Sequence, residues 1–169
     1  MKNTNHSLFD KYEMIKDLGT GSSGSVTLVR HISMDQERAL KKVPKASAFA
    51  ESALSEARLL KSLEHPSIPR IFDFEEDDAF YYIVEEYIDG ETLDSFLLHQ
   101  QLISPGLFFN ICEQLCNVFI YLHTQISTPI IYRDLKPEHI IVCHNKLKLI
   151  DFGVSAYVIQ AGNNFNHYG

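Results

Sequence analysis

The chain has 169 residues, 45% of them hydrophobic and 22% charged, with a net charge of −7. That suits one soluble globular domain and argues against a non-specific nucleic-acid binder. No apolar run is long enough to span a bilayer, the N-terminus lacks a signal-peptide core, and three cysteines do not make a disulfide framework. A cytoplasmic protein is expected.

In chain order, residues 1–10 read as a polar, loose start. Tyr-Glu-Met-Ile-Lys-Asp-Leu from Tyr12 has a strand pattern and runs into Gly19, Gly21 and Gly24. After Gly24 the chain continues Ser-Val-Thr-Leu-Val, which is β-branched, so the glycines sit between two strands. A dinucleotide fold would place a helix there. A glycine hairpin instead lets backbone N–H groups approach phosphates, although a ligand-free turn has the same letters. A short strand follows at Arg38–Val43, and its alternation puts Ala39, Lys41 and Val43 on one face. Residues 46–63 have helical spacing, with Leu54, Ala57, Leu60 and Leu63 along an apolar stripe. Glu51 and Glu56 on that helix are both candidate partners for Lys41. Ile68–Phe74 and Phe80–Val84 read as two more strands around the acidic turn 75–78. Five antiparallel strands and one helix result.

Glu85 to Gly90 reads as a connector, and Thr92–His99 as a short helix. Ser104 and Pro105 are an N-cap and a first-turn proline, opening a helix to about Gln125. Its apolar side chains cover an arc of about 220°, wider than one packed face needs. Neighbours on two sides are expected, or else exposed apolar surface at Phe109, Cys116 and Ile120, through which the chain would self-associate or bind a partner. Cys112 and Cys116 read as packed thiols rather than metal ligands, since no further ligand shares their face.

Ile130 to Gly153 carries the chemistry. A charged loop leads into a strand (Ile140–Cys143), a turn at His144–Asn145 and a second strand (Lys146–Ile150). That hairpin brings Asp134 and Asp151 to one sheet edge, with Lys136 two residues from the first acid. Two carboxylates and a cation in one cleft suit phosphoryl transfer: one acid orients a hydroxyl, the other holds a metal, and the cation meets the phosphate.

Tyr-Arg-Asp-Leu-Lys-Pro-Glu and the later Asp-Phe-Gly resemble the catalytic loop and metal-binding motif of eukaryotic-type serine/threonine protein kinases. The glycine loop, Ala-x-Lys at 39–41 and the helix running into His65-Pro66 fall in the same order. The resemblance implies an α+β, kinase-like fold: a small lobe (about 12–84) of five antiparallel strands with helix C, a hinge (85–90), and a partial, mainly helical large lobe (91–169). It implies ATP and Mg2+ as cofactors. Gly19, Gly21 and Gly24 would cover the phosphates. Lys41 would contact them and pair with Glu56, the register that the resemblance selects. Val26, Ala39 and Ile141 would sandwich the adenine, and the backbone of Glu86 and Ile88 would hydrogen-bond it. Asp134 would be the base, Lys136 would touch the γ-phosphate, and Asp151 would bind the metal. Leu60, Ile71, Tyr132 and Phe152 would stack between the lobes.

Three departures qualify the resemblance. Glu85 stands at the back of the nucleotide pocket, where the family usually has an apolar side chain or threonine. It must find a cation, take up a proton or turn to water. His139 replaces the asparagine of the second metal position, which favours Mn2+ over Mg2+ or leaves Asp151 to act alone. Sixteen residues after Asp-Phe-Gly, Val154 to Gly169, contain no Ala-Pro-Glu. A kinase fragment is therefore expected. The alternatives are a truncated nucleotide-binding module that acts by contact, or a gene fragment without function.

Overall fold

The computed structural model describes residues 8–21, 24–99, 103–125, 128–144 and 146–158. Residues 1–7, Ser22 and Ser23 of the glycine loop, Asn145 and the closing residues 159–169 lie outside them. The described elements are α1 (Leu8–Lys11), β1 (Tyr12–Gly21), β2 (Gly24–His31), β3 (Gln36–Pro44), α2 (Ala50–Lys61), β4 (Ile71–Glu76) and β5 (Phe80–Glu86). Then follow β6 (Glu91–Thr92), α3 (Leu93–His99), α4 (Pro105–Ile120), β7 (Ile130–Ile131), β8 (Ile140–Cys143), β9 (Lys146–Leu149) and β10 (Ala156–Tyr157).

Strands β1 to β5 form one antiparallel sheet in the order β1-β2-β3-β5-β4. The five expected strands are all present, with shifted ends. The fourth begins at Ile71 rather than Ile68, because Pro69 lacks an N–H and biases the residue before it. Helix α2 is shorter than the spacing predicts, and the residues before it form turns.

Gly24 has φ +138°, and a Cβ there would sit 2.1 Å from the Lys42 carbonyl oxygen. Only glycine allows β2 to enter the sheet beside β3 at that point. Val43, Ala53, Ala57 and Ile83 make a small core between the sheet and α2.

The larger core lies beyond the sheet. Val118, Leu122, Ile130, Tyr132, Ile140, Leu147, Leu149 and Phe152 pack with Leu59, Leu60 and Ile68 from the first half of the chain. Leu60, Ile71, Tyr132 and Phe152 do fall in one cluster, with Tyr132 and Phe152 edge to face at 5.1 Å between ring centroids. Such a pair contributes about 0.5–1.5 kcal/mol beyond its buried area.

Helix α4 begins as expected, with Ser104 Oγ accepting from Leu107 N–H, but ends at Ile120 and continues as one π-helical turn over Tyr121–Gln125. The helix is packed on one side. Val118 and Leu122 are buried, while Phe109 is 67% and Ile120 52% exposed, with Phe108 and Cys116 exposed too. Among the described residues no helix is long and apolar enough to cross a membrane.

Candidate active site

A cavity of about 540 Å³ opens between the sheet and the β8–β9 hairpin. That lies within the range of small-molecule sites. Val26 and Ala39 line it from the sheet, Ile141 and Ile150 from the hairpin, and Glu85 to Ile88 from the connector. Strand alternation explains the sheet side. Ala39 and Lys41 share a face of β3, while Lys42 projects from the other and lies 4.0 Å from the centre of the Phe80 ring.

Lys41 Nζ lies 3.1 Å from Glu56 Oε2 on α2. Glu51, the other candidate, is exposed. The second oxygen of Glu56, Oε1, accepts the Phe152 N–H at 2.9 Å. One carboxylate thus joins β3, α2 and the Asp-Phe-Gly segment. Burial works against the Lys41 ammonium, but the Glu56 and Glu85 charges outweigh it and hold its pKa above the usual lysine value.

The Glu85 side chain faces the same cavity without a hydrogen bond or ion pair among the described residues. Loss of water raises its pKa to about 7. Lys41 opposes the rise and Glu56 adds to it. Of the three outcomes open to this residue, burial favours proton uptake.

Glu86, its neighbour, behaves differently. Both of its oxygens lie 2.7 Å from Lys148 Nζ on β9, and its N–H donates to the Arg70 carbonyl at 2.9 Å. Ile88 accepts from Gly90 N–H at 3.1 Å, and its own N–H has no partner among the described residues. It remains available to a ligand.

On the opposite wall the backbone bends sharply: Arg133 and Asp151 have φ of 69° and 61°. Arg133 Nε donates to the Val154 carbonyl at 2.6 Å. Tyr132 O–H donates to the Ile150 carbonyl. Burial raises the Tyr132 pKa, and the charges of Asp151, Asp134 and Glu56 push the same way, so the hydroxyl keeps its proton.

Asp134 and Asp151 do meet, through His139. This imidazole, at the end of a 3-10 turn (Pro137–His139), is only 8% exposed. Its Nδ1 lies 3.1 Å from the Asp134 carbonyl oxygen and 3.4 Å from Asp134 Oδ2, and its Nε2 lies 3.2 Å from Asp151 Oδ2. Lys136 Nζ closes the row at 3.1 Å from Asp134 Oδ2.

Asp134, Lys136 and His139 lie beyond the residues that line the cavity, as do Gly19, Gly21 and Gly24. The glycines were expected at the ligand for their open backbone. For Gly24 the sheet itself imposes the need, through Lys42. The sequence reading also passed over Lys148, Ser52 and Leu18. Leu18 lines the cavity, and Ser52 Oγ donates to the Gly153 carbonyl at 2.9 Å. The alternation Lys-Leu-Lys-Leu at 146–149 was the signal for Lys148, since it places two cations on one face of a half-buried strand.

Comparisons with known proteins agree with this geometry. A family described as "Protein kinase domain" matches residues 12–168. Serine/threonine-protein kinase PrkC of Bacillus subtilis is 32% identical over 150 residues, which cover 86% of this chain and 23% of that protein. Calcium-dependent protein kinase 4 of Plasmodium falciparum is 34% identical, over 93% of this chain and 31% of its own length. The cAMP-dependent protein kinase type 3 of Saccharomyces cerevisiae is 35% identical, over 90% and 39%. The chain thus spans well under half the length of these relatives. With the sheet order, the lysine–glutamate pair and the two acids in place, this match over most of its length means that the chain belongs to the serine/threonine protein kinase family.

Proposed function

We propose that the chain binds ATP in the cavity and supplies the groups that transfer its γ-phosphoryl group to a protein serine or threonine hydroxyl. Residues 12–84 serve as the small lobe, 85–90 as the hinge and 91–169 as part of the large lobe. The observation that carries this reading is the Lys41–Glu56 ion pair, held in a cavity walled by Val26, Ala39 and Ile141 and bordered by Asp151. A half-buried lysine held charged by a carboxylate is a ready site for phosphate oxygens.

The adenine lies between Val26 and Ala39 above and Ile141 below, with backbone groups of Glu86 and Ile88 at its edge. Gly19, Gly21 and Gly24 cover the phosphates, and Lys41 neutralises them. Asp134 accepts a hydrogen bond from the substrate hydroxyl. The hydroxyl oxygen attacks the γ-phosphorus, the bond to the β-phosphate oxygen breaks, ADP departs, and the hydroxyl proton passes to the Asp134 carboxylate. Lys136 is 3.1 Å from that carboxylate and balances the charge on the moving group. Asp151 and His139 are the residues present to hold a divalent cation. When bound, it would offset phosphate charge as a Lewis acid. Among the described residues no three metal-ligating side chains converge, so such an ion needs ligands from the nucleotide.

The test is ATP binding by the purified chain, beside Lys41→Ala. Saturable binding that weakens at least tenfold in the variant supports the reading (about 1.4 kcal/mol). A folded chain that ignores ATP overturns it. One observation favours a second reading, a module that acts by contact. The exposed face of α4 (Phe108, Phe109, Ile120) is an apolar surface open to a second copy or a partner. A monodisperse monomer that binds no hydrophobic dye would remove that reading.

A further inference from the structure

His139 is held as a metal-ligating histidine is held. Its ring is buried and cannot turn to solvent. Nδ1 faces the Asp134 carbonyl oxygen at 3.1 Å, and a carbonyl can only accept, so Nδ1 carries the proton. The other ring nitrogen, Nε2, is then the one left to coordinate, and it lies 3.2 Å from Asp151 Oδ2. Two ligand atoms about 2.1 Å from one metal and at right angles stand about 3.0 Å apart. The observed separation suits a shared ion with little movement of either side chain. Ligating histidines commonly fix their ring by donating the other N–H to a backbone carbonyl, which is the arrangement here.

We propose that His139 Nε2 and Asp151 Oδ2 form a mixed nitrogen–oxygen pair that takes a nucleotide-bound first-row transition-metal dication, such as Mn2+, in preference to Mg2+. Imidazole nitrogen is a good ligand for such ions, whereas Mg2+ is hard and keeps oxygen ligands. The pair supplies only two ligands, and among the described residues no third side chain joins them. Phosphate oxygens and water complete the shell, so the ion enters with the nucleotide and is held weakly without it. The inference rests on the nucleotide reading above.

The experiment uses the full chain with Mn2+ and a non-hydrolysable ATP analogue, read by pulsed electron paramagnetic resonance. Adenine also contains nitrogen, so the chain is prepared once with natural and once with 15N-labelled histidine. The expected result is a histidine nitrogen coupling that changes isotope with the label and is absent from His139→Asn. Displacement of Mn2+ should also need several-fold more Mg2+ in the wild-type chain than in that variant. If His139→Asn does not fold, the isotope change in the wild-type chain decides alone. Bound nucleotide and Mn2+ without histidine coupling would overturn the pair and show His139 and Asp151 to be only an ion pair, leaving nucleotide binding intact. No binding of the analogue, with or without Lys41, would overturn both readings.

Discussion

Three glutamates stand around the cavity, and they differ in what they touch. Glu56 gives one oxygen to Lys41 and the other to the Phe152 N–H. Glu86 gives both oxygens to Lys148. Glu85, next in sequence to Glu86 and facing the same lysine as Glu56, has neither arrangement and holds its proton to about pH 7. Glu85 and Glu86 alternate along β5, and although both residues border the cavity, the Glu86 carboxylate reaches Lys148 on β9. Position in the sheet, rather than residue type, decides which carboxylate is a structural anion and which behaves as a weak acid.

The sharpest way to break this contrast is Glu56→Ala. It leaves Lys41 half-buried without its partner and the Phe152 N–H without an acceptor, so a loss of about 3 kcal/mol is expected in urea unfolding. Nucleotide binding should weaken at the same time.

Glu85→Gln should act in the opposite direction and only at higher pH. The folded-state pKa of Glu85 lies above its ordinary value of 4.5, so between pH 4.5 and about 7 the folded chain holds more of this proton than the unfolded chain. This group's contribution to stability therefore falls as pH rises through that window and levels off above it. The variant should lack that fall, and at pH 8 should be more stable than the wild type by about 2 kcal/mol, after allowance for partial exposure. Thermal unfolding from pH 5 to pH 8 measures it. Parallel curves for both chains would show that Glu85 is already charged.

Lys148→Met tests the third glutamate. It removes the cation that joins β9 to the connector, and a loss of about 1–2 kcal/mol is expected in urea unfolding. The smallest effect is expected at Ile120→Lys on the exposed side of α4. Stability should stay within about 0.5 kcal/mol while hydrophobic-dye binding falls.

Much of this was legible before the structure. Strand alternation announced β1 to β5, and the Ser104-Pro105 start fixed where α4 begins. The lysine at 41 and the acids at 134 and 151 could be singled out as candidates because each sits in a short pattern with a chemical reason. Helix spacing narrowed the partner of Lys41 to two glutamates, the family register selected Glu56, and the packing agrees with that choice. The Glu86–Lys148 pair was missed because 62 residues separate its members and nothing local couples them. His139 was read as a replaced ligand, but its contact with both acids depends on the 3-10 turn that buries it. The sheet's own need for Gly24 was not legible, since a sequence does not display how closely two backbones approach.

The divided carboxylate of Glu56 has a consequence for observation. Its two oxygens are engaged at once only while α2, β3 and Phe152 are all in register, so it acts as a coincidence detector for three separate segments. The Phe152 amide hydrogen reports that state directly. Its exchange with deuterated solvent should slow when the three segments lock together and quicken when any one withdraws, giving a single-site readout of cleft assembly that needs neither substrate nor turnover.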